Sequence, residues 1–281
     1  MNFIYFGSFH ISAAVLEHIV KAGFMPTVVI CNPDRPAGRK KVLTPPAVKQ
    51  LILEHSWPIK ISQPEKLETR SLKLEVGEVD LAIVMGYPLI IPQTIIDLPC
   101  LGTIGVHPSL LPKYRGASPI QSVLLAGEST TGVTLYQMDS KMDHGKIIAS
   151  SEWQVASGTT NTDLEKQLSK VASELLIKTM PKFVAGKITP QEQDHSQASF
   201  TQKFTGADGQ VDMTKDEPKL IYRKIKAFNP EPSVWTMNFP GYEGLRIKLL
   251  AATKQNEVVI ITKIQPAGKT AFDTNLKLES N

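Results

Sequence analysis

Cysteine is nearly missing from this chain, with two in 281 residues. Cys31 and Cys100 lie too far apart in sequence for a C-x-x-C motif and are too few for a disulfide framework, so each reads as a small buried hydrophobe. Long apolar runs are missing too. No stretch of about 18 apolar residues is available to span a bilayer. MNFIYFGSF at the N-terminus has neither the basic n-region nor the long apolar h-region of a signal peptide. The expectation is a cytoplasmic protein with no membrane partner. Glycines are missing where a dinucleotide would need them: GSFHIS lacks the three-glycine fingerprint, which argues against bound NAD. A large charge excess is also missing, since 31 Lys and Arg face 27 Asp and Glu for a net +4. The small excess sits late, with 12 basic against 9 acidic side chains in residues 201–281, a weak pointer toward a polyanionic partner.

What is present is an ordinary globular composition, 42% hydrophobic and 21% charged. Single cores stop growing at about 250–300 residues, so this length favours two domains. NFIYFGS reads as a strand, SAAVLEHIVKAG places Ala14, Leu16, Ile19 and Val20 at roughly helical spacing before Gly23, and PTVVICN reads as the next strand. Strand, helix, strand implies a right-handed crossover and parallel pairing. AVKQLILEHSW repeats the helix; PIKIS and VDLAIVMGY repeat the strand, the last apolar enough for burial on both faces. The fold class is α/β, a doubly wound, mostly parallel, Rossmann-like sheet over residues 1–189. GKITPQEQDHSQASFTQ has almost no apolar periodicity, and residues 190–202 read as a linker. Beyond it the helical PKLIYRKIKAF and the runs SVWTMNF, LRIKLLAAT and EVVIITKI make residues 203–281 a small β-rich domain.

Ligands of such sheets bind beyond the carboxyl ends of the strands, where the pattern puts GYPLIIP and GVHPSLLP. His107 turns out of a strand there. Imidazole titrates nearest neutrality and makes a candidate proton carrier, although a lone His before Pro reads equally as a solvated turn residue. Further on, TGVTLYQMDSKMDHGKII ends a strand in a turn that carries Asp139 and Asp143. In a parallel sheet that turn lies beside the His107 loop, where a carboxylate orients an imidazole and favours its charged form. Either aspartate also suits a plain turn cap. In DRPAGRKK, Arg39, Lys40 and Lys41 follow a glycine as a basic cluster fit for phosphates or for a solvated loop.

Taken in order, FGS, AVLEHIVKAG, NPDRPAGRKKVLTPPAVK, HPSLLPKYRGASPIQ, TGVTLYQMDSKMDHGKII, KAFNPEPSVWT and QPAGK resemble the folate-dependent formyltransferases, and within them the methionyl-tRNA formyltransferase family, over nearly the whole chain. The resemblance implies a monomer without metal that moves a formyl group from 10-formyltetrahydrofolate to the α-amino group of methionine on initiator methionyl-tRNA, in translation initiation. It implies that His107 helps stabilise the oxyanion and manage protons, and that Asp143 orients that imidazole or relays the proton. Folate would lie against Gly86, Tyr87, Pro88, Leu89, Ile90, Ser109, Leu110, Leu111, Pro112, Asp139 and Met142. Arg39, Lys40 and Lys41 become the tRNA-binding cluster. The last domain becomes an open, OB-like β-barrel, shortened between KLLAAT and EVVIIT.

The family reads Asn-x-His where this chain has Gly105, Val106 and His107. Loss of one preorganised donor typically costs about a hundredfold to a thousandfold in rate. On this resemblance an Asn at 105 would point to the same side as His107 and restore that donor. Phe9 and His10 also replace the family's usual Pro and acidic residue in the first loop. Two other readings share part of the motifs: a sugar-nucleotide N-formyltransferase, which has the same first domain, and a folate- or tRNA-binding relic, motivated by Gly105.

Overall fold

The computed structural model describes the whole chain except Arg39, Glu257 and residues 279–281, and the side chains of residues 71 and 73–75. Four consecutive buried residues form β1 (Phe3–Phe6), and α1 (His10–Lys21) follows with Val15, Leu16 and Ile19 turned inward. The chain continues through β2 (Val28–Ile30), the exposed hairpin of β3 (Arg35–Ala37) and β4 (Val42–Thr44), α2 (Ala47–Glu54) and β5 (Lys60–Ser62). Next come α3 (Thr69–Val76), β6 (Leu81–Val84), α4 (Gln93–Ile96) and β7 (Thr103–His107). Then follow β8 (Arg115–Gly116), α5 (Pro119–Ala126), β9 (Thr130–Gln137), β10 (Ile147–Gln154) and the long α6 (Asn161–Val184).

Seven strands make one sheet in the order β10-β9-β7-β6-β1-β2-β5. Strands β5, β2, β1, β6 and β7 run parallel, as the strand–helix–strand pattern requires. Strand β9 does not: it runs antiparallel to β7, so the turn after it starts level with the beginning of β7 and not beside its end. One face of the sheet packs Ile4, Phe6, Val28, Ile30 and Ala82 against Ile91, Ile95 and Ile96 around α4. Cys31 is buried as expected, but Cys100 is exposed, because it falls in the turn between α4 and β7.

Two compact units share the chain, the first built from Met1–Arg115, Gly132–Trp153 and Lys166–Ser199, the second from Gly116–Thr131, Gln154–Glu165 and Phe200–Asn281. The chain therefore passes between them several times, where a single linker over 190–202 was expected. Residues 190–199 belong to the first unit: Gln191 exchanges backbone hydrogen bonds of 2.7 and 2.8 Å with Ile147, and His195–Gln197 forms a 3₁₀ turn. The second unit holds β11 (Phe200–Thr201), α7 (Pro218–Phe228), β12 (Val234–Thr236), β13 (Ile247–Gln255), β14 (Val258–Pro266) and β15 (Phe272–Leu278). Its sheet is an open antiparallel meander, β12-β13-β14-β15, against which α7 packs. Among the described residues this sheet has four strands, and Gln255 pairs with Val258 where KLLAAT gives way to EVVIIT.

The exits of β1 and β6 are tied together through α1. Fully buried Ser12 donates its hydroxyl to the Met85 carbonyl at 2.7 Å, and its own carbonyl accepts from the Tyr5 hydroxyl at 2.8 Å. Ser12→Ala leaves the Met85 carbonyl short of a partner and should cost about 1–3 kcal/mol. Urea unfolding that gives the same stability for variant and wild type would show that this tie holds nothing.

Candidate active site

Strand β7 ends on His107, whose side chain is 6% exposed. Its Nε2 lies 2.8 Å from the Tyr114 carbonyl oxygen. A carbonyl only accepts, so Nε2 carries the proton and Nδ1 is the nitrogen that faces Asp143, 3.6 Å from Oδ2. Tyr114 can turn its carbonyl inward because it adopts a left-handed φ of 60°. Asp143, also left-handed at φ 48°, comes from the turn between β9 and β10. The two residues that sequence reasoning paired do meet, by a different route: Asp143 reaches His107 from an antiparallel strand.

Antiparallel register sets Tyr136 directly opposite Gly105 and Thr134 opposite His107. Opposed residues share a face of the sheet. A Cβ added at Gly105 would stand 2.3 Å from Tyr136 Cε1 and Cζ and 2.7 Å from its hydroxyl oxygen. The space above Gly105 is therefore filled, and an Asn at 105, expected to restore a donor, would first have to displace a ring only 5% exposed. The Tyr136 hydroxyl donates to Asp143 Oδ1 at 2.7 Å. Burial, and then the neighbouring Asp143 charge, push the Tyr136 phenol well above its ordinary range, so it stays neutral and donates.

Residues 1–180 match the family model described as formyl transferase. The chain belongs to the formyl transferase family. Among its relatives are the methionyl-tRNA formyltransferase of Methylococcus capsulatus, 31% identical with 96% of this chain and 93% of that protein aligned, and that of Thermotoga maritima, 38% identical over 83% and 74%. A solved methionyl-tRNA formyltransferase from Clostridium thermocellum superposes with TM-score 0.59 at 16% identity, covering 98% of this chain and 99% of that one. HypX from Aquifex aeolicus, solved with tetrahydrofolic acid, gives TM-score 0.65 at 15% identity; this chain spans only 46% of it.

In this formyl transferase the turn that carries Asp143 is braced by residues that sequence reasoning missed. Buried Arg115 donates through Nη2 to Gln193 Oε1 at 2.6 Å and lies 2.9 Å from His195 Nδ1. Gln193 Nε2 donates onward to the carbonyls of Asp143 at 3.0 Å and Gly145 at 2.7 Å. His195 stacks on His144, ring centroids 4.2 Å apart, and His144 Nδ1 lies 2.8 Å from Asp139 Oδ2. Asp139 also accepts from the Lys141 amide at 2.9 Å, the turn-forming role foreseen for it. Gln193 and His195 sit in a polar stretch without periodicity, which gives no signal that Gln193 is buried.

The expected folate residues divide into three groups. Gly86, Tyr87, Pro88, Leu89 and Ile90 leave β6, and Ser109, Leu110, Leu111 and Pro112 leave β7; the two strands are parallel neighbours, so both loops emerge at one edge of the sheet. Ile90 is 90% exposed, and Met142 on the Asp143 turn is 63% exposed. Ser109 and Leu111 turn inward instead: the Ser109 hydroxyl donates to the Lys113 carbonyl at 2.7 Å, and the Leu111 side chain is buried. The Tyr87 hydroxyl and Asn32 Oδ1 are buried with no hydrogen-bond partner among the described residues. Burial raises the Tyr87 phenol to about 12. Lys40 and Lys41 are exposed where β3 turns into β4, and Arg39 lies outside the described residues. Among the described residues no cluster of three or more His, Cys, Asp or Glu side chains could hold a metal ion, and no helix is long and apolar enough to cross a membrane.

Gln193→Leu removes both hydrogen bonds to the Asp143 turn and should cost about 1–3 kcal/mol, with faster amide hydrogen exchange across residues 139–146. Exchange as slow as in wild type would mean the turn holds itself.

Proposed function

We propose that this formyl transferase moves a formyl group from 10-formyltetrahydrofolate to the methionine amine of initiator methionyl-tRNA. The observation that carries the reading is buried His107 at the end of β7, facing half-buried Asp143 at 3.6 Å. It stands in a chain that aligns with 93% of a relative bearing the methionyl-tRNA formyltransferase name. Support for a folate donor comes from the paired loops beyond β6 and β7, from exposed Ile90 and Met142, and from the two unpartnered polar atoms of Tyr87 and Asn32. Apolar surface beside a few buried polar atoms suits a flat heteroaromatic ring. Lys40 and Lys41 on the β3–β4 hairpin suit the tRNA phosphates.

When bound, the donor supplies an activated formyl carbonyl. As the amine adds to that carbon, positive charge grows on nitrogen and negative charge on the formyl oxygen. The His107–Asp143 pair accepts the amine proton: Nδ1 is the basic nitrogen while Nε2–H is held by Tyr114, and Asp143 Oδ2 steadies the imidazolium that results. The same proton then serves the departing nitrogen. Charged His107 also faces the site as a cation that favours the oxyanion.

The sugar-nucleotide reading has fold likeness alone behind it, such as the 19% identical N-formyltransferase of Helicobacter canadensis solved with folinic acid and dTDP-3-aminofucose. The relic reading rests on the donor missing at Gly105; folate bound without transfer in the assay below would favour it.

Transfer of labelled formyl from 10-formyltetrahydrofolate to initiator methionyl-tRNA tests the reading. His107→Ala should lower that rate by roughly a hundredfold or more while folate still binds; a rate like wild type would make His107 a spacer. Lys41→Ala should weaken tRNA binding and flatten its dependence on salt, because fewer counterions are released. Folate affinity falling in step would point to a disturbed hairpin instead of a lost phosphate contact.

A further inference from the structure

We propose that Tyr136 is a positioning residue of this active centre: its phenol lies in the space that Gly105 leaves open and holds the Asp143 carboxylate against His107. The inference rests on the formyl-transfer reading above and adds a residue to it. Gly105 and Tyr136 are direct partners across β7 and β9, so both face the side of the sheet that carries His107 two residues on. With no side chain at 105, the ring lies across β7, its far end over the glycine. Laid that way, its hydroxyl comes to 2.7 Å from Asp143 Oδ1, while the other oxygen of the same carboxylate faces His107 Nδ1 at 3.6 Å. Each oxygen of one carboxylate thus has its own partner.

An alanine or asparagine at 105 would lift the ring and withdraw the hydroxyl. The glycine and the tyrosine therefore act as one device. Burial and the Asp143 charge keep the phenol protonated, which makes it a donor at any working pH. The carboxylate faces His107 from β7 and Tyr136 from β9, and on the same turn His144 pairs with Asp139. Arg115 reaches the same turn through Gln193.

The test compares wild type with Tyr136→Phe, which keeps the ring over Gly105 and removes the hydroxyl alone. We expect kcat to fall by roughly tenfold to a hundredfold, the worth of a hydrogen bond to a charged group, with KM for both substrates within about twofold. The acidic limb of the pH–rate profile should move to higher pH, because the carboxylate loses a donor that favours its charged form. An unchanged kcat and an unchanged acidic limb would reduce Tyr136 to packing over a glycine and overturn the proposal. Gly105→Ala should lower kcat when Tyr136 is present and add little in the Tyr136→Phe background; fully additive losses would also overturn it. NMR titration of His107 needs no turnover, and its midpoint should rise in Tyr136→Phe. If wild type transfers no formyl to methionyl-tRNA, the formyl-transfer reading falls; the rise in midpoint would still uphold the clamp, and no rise would overturn it.

Discussion

The antiparallel pairing of β7 with β9, with Gly105 set against Tyr136, is the constraint on which the active centre depends. A tyrosine opposite any residue with a side chain stands up from the sheet, whereas opposite glycine it lies down and carries its hydroxyl across the neighbouring strand. That placement lets one carboxylate serve two partners, Tyr136 and His107. Register matters for the same reason. A slip of one residue in β9 would send Tyr136 to the other face, because side chains alternate along a strand.

Asp143 is the left-handed residue of the β9–β10 turn, and such a turn needs support to hold a carboxylate in place. The support is a buried polar network running from Arg115 through Gln193 to the carbonyls of Asp143 and Gly145. An unpaired polar group in low dielectric is costly, so each of these hydrogen bonds resists opening. Arg115 adjoins Tyr114, whose carbonyl holds the other edge of His107. The imidazole and its carboxylate are thus positioned by adjacent residues of one loop.

The parallel part of the sheet does separate work. Strands β6 and β7 end side by side, and their loops emerge together, which is the usual setting for a ligand in an open α/β sheet. Ser12 pins the start of the β6 loop, while Ile90 at its tip stays exposed. A fixed base with an open apolar tip leaves the end of the loop accessible.

Much of this was legible in one dimension. Runs such as IYF, VVI and LAIV alternate with helical spacing as a parallel α/β sheet requires, and a histidine leaving one strand and an acidic turn ending another are each local patterns. Three things were not legible. The direction of β9 depends on its partner strand, and a short apolar run reads alike in either orientation. Gln193 lies in a stretch whose composition suits a linker, and its burial comes from contacts with Arg115 and the Asp143 turn far away in sequence. Gly105 read as a missing donor because a glycine states only what it lacks. The sequence by itself determined the strand order of chemistry, from His107 to Asp143, through periodicity and turn residues that act over a few positions. Only the tertiary structure decided what fills the space above Gly105, because that is settled by the register of a strand about thirty residues away, and pairing across a sheet leaves no local trace.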